Sequence, residues 1–125
     1  MPSKLDDGLK LSVDIASGKS SLTLPNPVMV ASGTFSYGTD YAKIIDIQRL
    51  GGIVSKTTTL RPRAGSPTPR IDETPAGMLN SIGLQNIGID KVVRDLAPVW
   101  ARWKVPVIVS ILGGSPEEYG ECAAR

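Results

Sequence analysis

A lysine followed by three threonines, Lys56-Thr57-Thr58-Thr59, closes a short apolar run from Gly51 to Ser55. A cation and hydroxyls at the C-terminal end of a buried strand suit an anionic ligand held against a ring. Lys56 can place its charge beside the N1–C2=O edge of a flavin, where negative charge builds on reduction, or pair with a substrate carboxylate. A solvated lysine at a strand end is the competing reading. The run Asn80-Ser81-Ile82-Gly83-Leu84-Gln85-Asn86 offers amides and a hydroxyl around a glycine. Each amide carries both a donor and an acceptor, which fits the alternating edge of a pyrimidine, and Gly83 can let a planar ligand reach backbone N–H groups. A polar surface turn is the alternative. Ala31-Ser32-Gly33-Thr34 follows another apolar run, where small residues let a ring or phosphate come close to the backbone; a tight turn explains the same residues. Arg61, Arg63 and Arg70 can clamp an anion, but Pro62, Pro67 and Pro69 favour rigid loop residues that contact other elements.

The elements that must carry these residues alternate in type. Leu9 to Ile15 and Ser20 to Leu24 read as a small β-hairpin with its turn near Ser17 to Lys19. Val28 to Val30, Ile53-Val54 and Val105 to Leu112 are apolar on both faces, as in a parallel sheet. A helix capped by Thr39 or Asp40 is expected to run to about Arg49 and stop at Gly51-Gly52. A second helix opens at Gly88 or Asp90, with Val92, Val93, Leu96, Val99 and Trp100 on its apolar side and a kink or early break at Pro98. Ser115-Pro116-Glu117-Glu118 is a strong helix start. The segment from Lys56 to Asn86 is read as one long loop. Strand–helix alternation implies a parallel α/β sheet, in an open doubly wound fold or a (β/α)8 barrel. Both place ligands at C-terminal strand ends, where the polar runs fall.

Composition excludes several functions. The chain has 125 residues, 41% hydrophobic and 21% charged, which is ordinary for one globular domain. A net charge of +2 without basic runs gives no case for nucleic acid. No apolar stretch is long enough to span a membrane, and the first residues lack the apolar core of a signal peptide, so a cytoplasmic location is expected. There is no histidine and one cysteine, Cys122, which removes Ser-His-Asp and Cys-His catalysis and a disulfide framework. Neither a dinucleotide glycine fingerprint nor a Walker loop is present. Trp100, Trp103 and Cys122 read as packing residues.

The long motifs resemble one family. Asn26 to Phe35, Gly51 to Thr59, Pro67 to Arg70 and Thr74 to Asn86, in this order, are similar to the N-terminal part of the catalytic subunit of dihydroorotate dehydrogenases. The Lys-Thr-Thr-Thr and Gly-Leu-Gln-Asn forms are closer to the class 1B, NAD-linked branch than to the fumarate-linked one. The resemblance implies a (β/α)8 TIM barrel, of which residues 1–125 supply about three of eight βα units after the hairpin, with FMN at the C-terminal face. It implies that Ala31, Ser32 and Gly33 lie against the flavin, that Lys56 touches flavin and substrate, and that Thr57 touches FMN. Asn80, Ser81, Ile82, Gly83 and Leu84 would bind orotate or dihydroorotate. Ser110 stands where an asparagine facing FMN is expected; Ser36, Ser66 and Ile87 stand where Gly, Asn and Pro are expected.

The implied activity is FMN-dependent oxidation of dihydroorotate to orotate in de novo pyrimidine (UMP) biosynthesis. The implied assembly is a homodimer of catalytic subunits with an iron–sulfur/FAD electron-transfer subunit. The cysteine that serves the family as base follows an Asn-x-Ser run beyond the fourth strand, so no catalytic residue is assigned within 1–125, and Cys122 does not stand in that motif. The late phosphate-binding loops also lie beyond Arg125. The alternatives are a non-catalytic fragment that needs a complementing partner, or a small flavin- or pyrimidine-binding module.

Overall fold

A computed structural model describes residues 9–16 and 21–125. Strand β1 (Val13–Ala16) pairs antiparallel with β2 (Leu22–Leu24), with a register irregularity between Asp14 and Ala16. The turn expected near Ser17 to Lys19 lies outside the described residues. β1 is exposed along its length, whereas Leu24 is buried and anchors the pair.

The apolar runs form the expected parallel sheet. Strands β3 (Met29–Val30), β4 (Gly52–Val54) and β8 (Val107–Ile108) lie in the order β3-β4-β8. Their short lengths are extended by β5 (Thr58–Thr59), which pairs in parallel with β9 (Ile111–Leu112). The run from Val105 to Leu112 is therefore not one uninterrupted strand: it breaks at Val109-Ser110, opposite the break between β4 and β5. Gly51 is required where the chain enters β4, because a Cβ there would sit 1.8 Å from the Asn26 carbonyl oxygen.

Three expectations change. Between β3 and β4 there is no continuous helix from Asp40 to Arg49. A single turn, α1 (Ser32–Phe35), follows β3 directly, then come two 3-10 turns, Tyr41–Lys43 and Ile47–Arg49. Asp46 causes the break: its backbone leaves helical angles at ψ 89° and its carboxylate accepts the Gln48 N–H at 3.1 Å, starting a new turn. The presumed loop from Lys56 to Asn86 holds an antiparallel hairpin, β6 (Ile71–Thr74) and β7 (Gly77–Asn80), turning at Pro75-Ala76. The second helix starts as α2 (Ile89–Lys91), widens into a π-helical stretch over Val92–Leu96 and resumes as α3 (Ala97–Trp100). Pro98 accounts for the widening, since it lacks an N–H and crowds the carbonyl four residues back; Ala97 donates instead to Val92.

The last helix, α4 (Pro116–Ala124), begins as its sequence predicts. Ser115 Oγ accepts the Glu118 N–H at 3.3 Å, and the Glu118 carboxylate reaches back to the Gly114 N–H at 2.7 Å. Two apolar clusters hold the layers together. Phe35, Ile47, Ile53 and Val105 form one; Ile89, Val92, Trp100 and Cys122 form the other, and Trp103 packs against both. No helix among the described residues is long and apolar enough to cross a membrane.

Candidate functional site

Lys56 stands two residues beyond the end of β4, after Ser55. It is half-buried, and its ammonium has no carboxylate partner among the described residues. It borders two adjoining clefts. The larger, about 600 Å³, is lined by Lys56 with Gly33, Thr34, Ile71, Met78 and the run Asn80 to Leu84. The smaller, about 480 Å³, shares Gly33, Lys56 and Ile82 and adds Tyr37, Arg63 and Gln85 among others. Thus Gly33, Lys56, Asn80, Ser81, Ile82, Gly83 and Leu84 converge, although they come from three separate stretches of chain. Ala31, Ser32, Thr57 and Ser110 do not line either cleft. Ala31 precedes α1 and its carbonyl accepts from Thr34 Oγ1 at 3.1 Å. Ser32 starts that helix. Thr57 Oγ1 and Ser110 Oγ lie 2.9 Å apart, so each hydroxyl already has a partner.

Two glycines in the cleft differ in kind. A Cβ on Gly33 would meet nothing within 4 Å, so this backbone stands open to whatever fills the cleft. Gly83 has φ +73°, and a Cβ there would lie 2.4 Å from the Ser66 nitrogen. The facing loop and the positive φ therefore already demand glycine at this cleft position.

The Asn80–Asn86 run divides between open and structural amides. Asn80 and Ser81 are exposed. Gln85 accepts from Arg70 Nη1, while Arg70 also donates to the Ser66 and Ala64 carbonyls at 2.6 and 3.1 Å. Arg70 is therefore a loop brace. Asn86 is buried: its Oδ1 accepts the Thr59 and Gly88 N–H groups at 3.2 and 2.9 Å, and its Nδ2 donates to the Leu84 carbonyl at 2.9 Å. That clamp holds Leu84 at φ +54° on the cleft wall.

Ile71 and Met78 are cleft residues that sequence reasoning missed. They sit on one face of the β6–β7 hairpin with Asn80, since Ile71 pairs with Asn80 and Glu73 with Met78. The available signal was two four-residue runs flanking Pro75-Ala76, a short turn with proline at its favoured position. Cys122 lies far from this chemistry in character: it is 2% exposed, and burial pushes its thiol pKa up. No cluster of three or more metal-ligating side chains occurs among the described residues.

Known proteins with this sequence and shape are consistent with one another. The chain is 52% identical over 115 residues to the catalytic subunit of dihydroorotate dehydrogenase B (NAD(+)) from Desulforudis audaxviator, covering 92% of this chain and 38% of that protein. The proteins of the same name from Pelobacter propionicus and Geotalea uraniireducens are each 50% identical, over 90% and 92% of this chain and 37% and 36% of theirs. The chain thus spans little more than a third of the curated relatives it matches. In shape it follows a crystal structure of DHODH in complex with ferulenol from Eimeria tenella with a TM-score of 0.66, at 23% identity, over 100% of this chain and 36% of that one. The sequence model of the dihydroorotate dehydrogenase family matches residues 15–125, and the chain belongs to that family.

Proposed function

We propose that residues 1–125 are the N-terminal portion of an NAD-linked, class 1B dihydroorotate dehydrogenase catalytic subunit: an incomplete (β/α)8 barrel preceded by a small hairpin. In the complete enzyme this segment holds FMN and orients dihydroorotate for oxidation to orotate. The observation that carries the reading is the convergence of Lys56, open Gly33 and the Asn80–Leu84 run on one cleft. A flavin fits this residue set: the backbone at Gly33 has free space above it, and Lys56 is a cation without a carboxylate partner among the described residues. When bound, the flavin supplies the two-electron acceptor for the hydride leaving dihydroorotate.

The chain's own residues bind and orient. Lys56 offers positive charge to the electron-rich ring edge and to the substrate carboxylate at once. Asn80 matches the donor and acceptor alternation of the pyrimidine ring. Ile71 and Met78 provide an apolar wall that limits water over it. Ala31, Ser32, Thr57 and Ser110 support the cofactor side from behind the cleft lining. Partner subunits, a second catalytic chain and an iron–sulfur/FAD chain, and a cytoplasmic location belong to the same proposal.

The test uses a chimera that joins residues 1–125 to the remaining part of a full-length relative. Lys56→Ala should weaken orotate binding and slow flavin reduction together, by about tenfold to a hundredfold, as expected for a lost charge-assisted contact. Asn80→Ala should weaken orotate far more than flavin retention. Unchanged orotate affinity and reduction rate in Lys56→Ala would refute the assignment.

A further inference from the structure

The parallel ladder beside Lys56 changes register once. Ile53 pairs with Val107 and Val54 with Ile108, but Thr58 pairs with Ile111 and Thr59 with Leu112. Between these blocks Ser55, Lys56 and Thr57 stand opposite Val109 and Ser110 alone. This is a β-bulge in a parallel pair, an uncommon irregularity that bends the strand and re-aims a side chain. Burial carries the same signature. Ser55 and Thr58 are both 0% exposed, three positions apart, where regular alternation gives a spacing of two.

Hydrogen bonds place the extra residue just after Lys56. Ser55 N–H donates to the Ile108 carbonyl and Thr58 N–H to the Ser110 carbonyl, both at 2.9 Å, so the flanks remain in the ladder. Lys56 N–H points to the other side of the strand, as regular alternation requires, and donates to the Ser36 carbonyl at 2.7 Å, on the loop after α1; Thr57, next in phase, yields the Ser110 carbonyl to Thr58. Side chains close the gap. Ser55 Oγ accepts the Ser110 N–H at 3.3 Å, Thr57 Oγ1 and Ser110 Oγ are 2.9 Å apart, and Thr58 Oγ1 donates to the Lys56 carbonyl at 3.0 Å.

We propose that this hydroxyl-closed bulge fixes the Lys56 peptide, and with it the aim of the side chain into the cleft, and that Ser55 and Ser110 are positioning residues for its cation. The inference rests on the reading that Lys56 binds the anionic substrate, and it gives the two serines a role separate from touching a ligand. Without the extra residue, Thr57 and not Thr58 would take the Ser110 carbonyl, and the Thr58 hydroxyl that holds the Lys56 carbonyl would turn to the face opposite Ser55. Without the hydroxyls, the bulge keeps its register but loses the bonds that fix its angle.

The chimera tests this with Ser55→Ala and Ser110→Ala, each alone and combined with Lys56→Ala, and with Ser110→Thr to restore a hydroxyl. The readouts are orotate Kd from the perturbation of flavin absorbance, flavin content, and the urea midpoint. Each serine-to-alanine change should raise the orotate Kd of the flavin-loaded protein about three- to tenfold, the worth of one neutral hydrogen bond. Ser110→Thr should recover most of the loss. In the Lys56→Ala background the same changes should leave Kd unaltered, because a residue that acts only through another is silent once that other is gone. Equal losses in both backgrounds, or no loss in either, overturn the proposal. If Ser55→Ala folds poorly, half-buried Ser110 carries the test alone. Weakened binding in Lys56→Ala with unaffected serine variants refutes the bulge inference only; an unaffected Lys56→Ala refutes the site reading as well.

Discussion

Asn86→Ala should be the most costly conservative truncation on the cleft wall. Asn86 is 6% exposed, and its side chain serves three segments: β5 through Thr59, the helix start through Gly88, and the cleft through Leu84. Alanine removes the acceptor from two buried backbone N–H groups and the donor from the Leu84 carbonyl. Leu84 is 38% exposed, so water can replace that donor; the N–H groups of Thr59 and Gly88 are buried, so they go unpaired. At about 1–3 kcal/mol for each of the two stranded buried groups, the expected loss is about 2–6 kcal/mol. Urea denaturation of the chimera followed by tryptophan fluorescence measures it. Gln85→Ala, which removes one exposed contact with Arg70, is the control and should cost under about 1 kcal/mol. A loss for Asn86→Ala no larger than the control's would refute the argument, because it would mean that the three segments hold their positions without the amide.

Ser36 has φ +50° and ψ −126°, a backbone region that favours glycine, while its carbonyl still accepts the Lys56 N–H. Ser36→Gly should therefore raise the unfolding free energy by about 1 kcal/mol after the added freedom of the unfolded chain is subtracted, seen as a higher urea midpoint, and a lower midpoint would contradict the assignment of strain. Residues 1–125 expressed alone should self-associate and retain no flavin, since Val28, Ile44, Met78 and Leu79 are between 58% and 77% exposed and β3 and β8 have open edges among the described residues. A monomeric yellow product in size-exclusion chromatography would overturn that expectation.

What could be read from sequence follows the physics of each signal. The parallel strands were legible because Val28 to Val30 and Ile53-Val54 are continuous apolar runs, which suit few other places in a fold. The α4 start was legible because a serine, a proline and two glutamates act locally. The 40–49 helix misled because Tyr41, Ile44, Ile45 and Ile47 keep helical spacing while Asp46 offers its backbone a competing bond. The β6–β7 hairpin was hidden because every residue in it is exposed, so no burial pattern marks its faces. Asn80 and Asn86 look alike in sequence, yet one is open and the other a buried clamp; only the partners across the loop tell them apart. The register change at Lys56 is invisible for the same reason, since a bulge is a property of two strands.

Trp103 gives the molecule a property that neither apolar cluster has alone. Its ring packs against both, and its outer edge lies 3.1 Å from where a Gly38 Cβ would stand. Loosening Ile53 and its neighbours on one side, or Trp100 and Cys122 on the other, strips contacts from the same indole. The two clusters are thereby tied into one cooperative unit, so slow-exchanging amides of β4 and of the Ile89–Trp100 helix are set to open together, and the emission of a single fluorophore follows the melting of both.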